Sequence, residues 1–113
     1  MTRYCRSGEH LRLGVAPFVC ALQSATDRDR MVTGKPGKLM FEAGLDMLGV
    51  KADEAIMLGD DIRSDIGGAL DAGLKGVLVK TGKYRKEDLS GDITPTAVIS
   101  SISDLPRWYE TKQ

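Results

Sequence analysis

Apolar residues fall into short runs separated by polar turns, and their spacing switches between strand-like and helix-like along most of the chain. Ala16 to Leu22 predicts a short helix beginning at Pro17, and Met31 to Thr33 a strand. In 37–48, Met40, Ala43 and Met47 form one apolar row and Phe41, Leu45 and Leu48 a second, the pattern of a helix that Gly49 closes. Ala55 to Leu58 is too short and too apolar for an exposed element and reads as a buried parallel strand. A helix from Asp65 to Ala72 ended by Gly73, a strand at Val77 to Lys80, a polar connection from Thr81 to Asp92 and a strand at Ala97 to Ile99 follow. Ser103 is placed to cap a final helix through Trp108. Strands that alternate with helices predict an α/β fold with a parallel sheet. Residues 1–12 mix charge, glycine and isolated apolar side chains, and are expected to be disordered on their own.

The pattern breaks most sharply at 56–69. There the run Ile56-Met57-Leu58 stops at Gly59 and three carboxylates follow: Asp60, Asp61 and Asp65. Carboxylates at the carboxyl end of a buried parallel strand occupy the edge where open α/β sheets bind ligands. Hard cations such as Mg2+ take a few carboxylate oxygens, with waters and substrate phosphate completing the shell. The competing reading is an acidic loop in which Asp65 or Ser64 caps the next helix. Within that helix Gly67 and Gly68 each cost roughly 1 kcal/mol relative to alanine, which makes sense if backbone packs closely there, or reflects simple tolerance in a weak helix.

A second motif, Val32-Thr33-Gly34-Lys35-Pro36, lies where an apolar stretch ends and a helix pattern begins. Pro36 suits a first helical turn, so Lys35 is expected at a helix entrance, where the dipole favours anions. A surface lysine there carries no signal alone. With the acidic loop it becomes a candidate phosphate clamp.

In this order the motifs resemble the haloacid dehalogenase-like hydrolases, in particular the subgroup with a large α/β cap that includes the pyridoxal phosphate, phosphoglycolate and phospholysine phosphohistidine phosphatases. The matching residues are Gly34-Lys35-Pro36, Gly59-Asp60-Asp61 with Asp65, Gly67-Gly68-Ala69, Gly73, and Gly76 through Lys83. Leu13 to Val19 looks like the segment leading from cap back to core, and the similarity runs over 11–107. The resemblance implies the carboxyl-terminal half of a Rossmann-like phosphatase core, a partial doubly wound parallel sheet, with 1–13 a cap remnant and hinge and 14–113 part of the core. It implies a Mg2+-dependent hydrolase acting on a small phosphorylated substrate through an aspartyl phosphate. By resemblance, Asp60 would bind the metal. Asp65 would stand one step behind it, orienting a metal-bound water or pairing with Lys35. Asp61 would bind metal or only shape the loop, and Lys35 would neutralise the attacking aspartate and the phosphoryl oxygens.

The departure from the family pattern matters as much. Its members carry an apolar strand ending in Asp-x-Asp, whose first aspartate attacks phosphorus, followed by a Ser/Thr that holds the phosphoryl group. The one Asp-x-Asp here, Asp27-Arg28-Asp29, follows the polar stretch Gln23 to Thr26 and reads as a solvated turn. The nucleophile and the general acid/base are therefore expected to lie outside these 113 residues. A sheet lacking that first strand leaves the edge of the Ala55 to Leu58 strand open, which favours self-association, and a cap offers a second route to a homo-oligomer.

Composition excludes little else. Sixteen basic and sixteen acidic residues cancel, giving no global field for nucleic acid or an anionic membrane. The cations at Lys75, Lys80, Lys83, Arg85 and Lys86 have only Tyr84 among them and read as a solvated loop. No apolar stretch approaches the roughly 20 residues of a bilayer span, so a cytoplasmic protein is expected. Cys5, Cys20 and the lone His10 lack metal-site spacing. Two other functions fit part of the pattern. One is a binding or regulatory fragment that keeps the fold without the chemistry. The other is a receiver-like phosphoacceptor domain, disfavoured because Lys35 precedes the acidic cluster rather than following it.

Overall fold

In the computed structural model, which describes residues 3–112, the chain divides into two compact units, Met1–Val32 and Thr33–Gln113. The first contains an antiparallel hairpin, β1 (Tyr4–Ser7) with β2 (His10–Leu13), and the helix α1 (Val15–Thr26). The segment expected to be disordered thus forms a hairpin, because Ser7 pairs directly with His10 and leaves Gly8 and Glu9 as a two-residue turn, with Gly8 at positive φ. Helix α1 also runs four residues beyond the apolar run, ending at Asp27 in the left-handed conformation. The expected strand at Met31 to Thr33 does not form. Three residues make a strand only against a partner, and among the described residues none pairs with them.

The second unit carries the sheet. After α2 (Lys38–Leu48), capped by Gly49 at φ 66°, come β3 (Ile56–Gly59), β4 (Lys75–Val79) and β5 (Ala97–Ile99), all parallel and in the order β3-β4-β5. The chain is α/β, as the alternation of patterns requires. Strand β4 is central, and its side chains alternate between two covered faces. Val77 and Val79 join Ile99 in a cluster with Leu105 and Trp108 of α4 (Leu105–Glu110). On the opposite face Leu78 is fully buried, and Gly76 lies so near Ile66 that a Cβ there would come within 2.8 Å of it.

Two local features differ from the expected pattern. The helix after the acidic loop opens as a single π-turn, Ile62–Gly67, and only then becomes the short α3 (Gly68–Asp71). The final helix is capped upstream of Ser103: the Ser101 hydroxyl accepts from the Ser103 N–H and starts a 3₁₀ turn, Ile102–Asp104, that leads into α4. Strand β3 pairs on one side only among the described residues, with β4. No helix of the described residues is long and apolar enough to cross a membrane.

Candidate functional site: lysine and three carboxylates at the carboxyl ends of β3 and β4

Parallel strands β3 and β4 are adjacent, so the loops leaving their carboxyl ends must border one another. The loop after β3 holds Asp60, Asp61 and Asp65; the loop after β4 holds Gly82 and Lys83. Lys35 reaches the same place from before α2. It occupies a four-residue turn closed by the Gly37 N–H donating to the Gly34 carbonyl at 2.7 Å, with a cis Lys35–Pro36 peptide, rather than the first helical turn that Pro36 suggested.

The three aspartates do different things. Asp65, with its side chain only 6% exposed, accepts from the Lys35 ammonium at 2.5 Å and from the Asp61 backbone N–H at 3.3 Å. Burying a carboxylate without such partners would cost several kcal/mol, so the pair fixes where Lys35 stands. Asp61 serves the loop: its Oδ1 accepts from the N–H groups of Arg63 and Ser64 at 3.1 and 2.9 Å, capping the π-turn, and its Oδ2 faces the Lys83 ammonium at 3.4 Å. Burial pushes the Asp61 carboxyl up, but the hydrogen bonds from Ser64, Arg63 and Lys83 outweigh it and hold the group below the ordinary carboxylate value. Asp60 accepts the Lys83 backbone N–H on Oδ2 at 2.8 Å, and its other oxygen has no hydrogen bond among the described residues.

Close backbone approach builds this arrangement. A Cβ on Gly59 would overlap the Asp65 side chain, so only glycine lets β3 turn out beneath that carboxylate. A Cβ on Gly68 would come within 2.8 Å of the Phe41 ring and 3.0 Å of Pro36, so the glycine lets α3 pack against the segment that carries Lys35. That is the close-packing role, not mere tolerance of glycine in a weak helix.

Among the described residues no group of three His, Cys, Asp or Glu side chains is placed to hold a metal by itself. The donor chemistry nevertheless fits Mg2+, which is commonly bound through one or two carboxylates plus substrate phosphate. Among the described residues Asp60 is the one of the three carboxylates that keeps an oxygen free of hydrogen bonds, while both oxygens of Asp61 and Asp65 are engaged.

The residue that sequence reasoning passed over is Lys83, set aside as part of a solvated basic loop. It contacts two of the three aspartates, and with Arg63, Arg85 and Asp88 it rims a cavity of about 220 Å³ containing Asp60 and Asp61. The adjacency of consecutive parallel strands was the signal that could have found it. A larger cavity, about 420 Å³, opens at the other end of the sheet against Ile56, Lys75, Thr96 and Trp108, away from the carboxylates.

Comparison with known proteins accords with the geometry. A family model describing HAD-hydrolase-like proteins matches residues 32–105. The chain belongs to the haloacid dehalogenase-like hydrolases. Over 86 residues it is 51% identical to haloacid dehalogenase-like hydrolase domain-containing protein 2 of Homo sapiens, covering 76% of this chain and 33% of that one. It is 46% identical over 86 residues to phospholysine phosphohistidine inorganic pyrophosphate phosphatase of Xenopus laevis, covering 76% of this chain and 32% of that one. A solved p-nitrophenyl phosphatase from Archaeoglobus fulgidus superposes with a TM-score of 0.82 at 27% identity, over 95% of this chain and 43% of that one. The chain thus spans about a third of the length of the curated hydrolases that it matches.

Proposed function

We propose that these residues form the lysine and metal-aspartate portion of a Mg2+-dependent phosphatase that hydrolyses a small phosphorylated metabolite through an aspartyl phosphate. The observation that carries this reading is the Lys35–Asp65 ion pair standing beside Asp60, the carboxylate with a free oxygen, at the carboxyl end of a parallel strand in a chain of this family. Relatives named as phosphatases support the reaction class. Asp60 would hold the Mg2+, which when bound offsets phosphoryl charge. Asp65 anchors Lys35, and the ammonium would face phosphoryl oxygens and the attacking carboxylate, which otherwise repel each other. The nucleophile comes from polypeptide outside these 113 residues. Its carboxylate forms a bond to phosphorus as the ester P–O bond breaks, and the alcohol leaves with a proton from a general acid that also lies outside these residues; that group, now a base, takes a proton from the water that cleaves the acyl phosphate, releasing phosphate and the carboxylate.

The test joins this chain to the amino-terminal portion of a related phosphatase, which carries the Asp-x-Asp strand and the cap. With Mg2+ and an aryl phosphate the joined protein is expected to turn over, Lys35→Ala to lower kcat about 100-fold or more, and Asp60→Asn to raise the Mg2+ requirement more than Asp61→Asn does. The 113-residue chain alone should show no turnover above background. Turnover that copurifies with it and vanishes in Asp60→Asn would overturn the assignment of Asp60, making it the attacking group.

A further inference from the structure

The loop after β4 makes the one hydrogen bond that Asp60 accepts among the described residues. Thr81 to Tyr84 form a turn closed by the Tyr84 N–H donating to the Thr81 carbonyl at 3.2 Å. Gly82 sits second in it at φ 58°, a conformation that side-chain residues rarely adopt. The next N–H, that of Lys83, then points at Asp60 Oδ2 at 2.8 Å. A Cβ on Gly82 would overlap Asp60 Oδ2 and lie 2.9 Å from its Cγ. The side chain of Asp60, not backbone, is what would have to move.

The geometry points to the Gly82–Lys83 turn as the positioning device for Asp60: it holds one carboxylate oxygen through a backbone amide and leaves the other to the metal. This rests on the reading of Asp60 as a metal ligand, and it adds a residue pair on a different strand that sets the ligand's orientation. A carboxylate on a rotatable side chain loses orientational freedom when it binds a cation. An amide already donating to Oδ2 removes part of that cost beforehand. Gly82 is needed for two separable reasons, its positive φ and the space its missing Cβ leaves for Asp60. Gly49 isolates the first, since it has φ 66° and nothing within 4 Å of where its Cβ would be.

The experiment uses nuclear magnetic resonance on the 113-residue chain, with hydrogen exchange and Mn2+ titration as two readouts. Exchange of the Lys83 amide is expected to accelerate about tenfold or more in Asp60→Ala, the scale of a lost hydrogen bond to a charged group, and to stay near the parent rate in Asp60→Asn and Asp61→Ala. Mn2+, a paramagnetic stand-in for Mg2+, should broaden the amides of 59–61 in the parent chain. Gly82→Ala should require about tenfold more Mn2+ for the same broadening, and Gly49→Ala no more than the parent. A Lys83 amide indifferent to Asp60→Ala overturns the clamp, whether or not Gly82→Ala folds. An unchanged Mn2+ response in Gly82→Ala, or an equal loss in Gly49→Ala, overturns it as well. A parent chain with no broadening at 59–61 but a responsive Lys83 amide instead sinks the metal reading, and the positioning role falls with it.

Discussion

Replacing Lys35 with alanine should unfold the sheet-bearing unit more easily, and the structure sets the size of the effect. The substitution leaves the Asp65 carboxylate, with a side chain 6% exposed, with one hydrogen bond from the Asp61 N–H at 3.3 Å. Breaking a fully buried pair by removing one partner costs about 3–5 kcal/mol, whereas a surface pair is worth about 0–1 kcal/mol. Lys35 is 38% exposed, so water screens the pair from one side and the expected loss is intermediate, about 2 kcal/mol. The single tryptophan gives a clean probe: Trp108 packs on Val77, Val79 and Ile99, within the same unit as the pair. With a guanidinium dependence of about 3 kcal/mol per molar, the midpoint followed by Trp108 fluorescence should fall by about 0.7 M. In an Asp65→Asn background there is no charge to orphan, and Lys35→Ala should cost no more than about 0.5 kcal/mol. An unchanged midpoint, or the same loss in both backgrounds, would refute the argument that the buried carboxylate depends on this lysine.

Two further outcomes follow from the same loops and sheet. Because hydrogen bonds hold the Asp61 carboxyl below its ordinary value of 3.8, its contribution to stability is complete above that value and is lost as pH falls through the lower folded value. The stability gap between the parent and Asp61→Asn should stay flat from about pH 7 to about pH 5 and narrow only in stronger acid; narrowing already between those two values would contradict the capping role. We propose that the free edge of β3, whose four residues are half-buried and paired on one side among the described residues, drives concentration-dependent association of the 113-residue chain. Light scattering showing a monomer across the whole concentration range would count against it.

The elements of the second unit were largely legible in the chain, because each obeys a local rule. Short apolar runs make the parallel strands, with β4 buried as expected but β3 only half-buried, and two apolar rows ended by a glycine make α2. The candidate residues Lys35, Asp60, Asp61 and Asp65 were visible too, since a strand that ends in carboxylates points to the binding edge of an α/β sheet. What each of them does could not be read from order and spacing. Asp60, Asp61 and Asp65 look alike in the sequence, but the fold decides that Lys35 meets Asp65, 30 positions further along the chain, and the adjacency of β3 and β4 decides that Lys83 meets Asp60 and Asp61. The strand expected at 31–33 shows the same limit from the other side, because strand propensity is realised only against a partner and the sequence does not say whether one is present. Patterns along the chain report local backbone preference and burial. Which carboxylate keeps an oxygen without a hydrogen bond among the described residues depends on contacts between segments far apart in sequence, and only the tertiary structure supplies those.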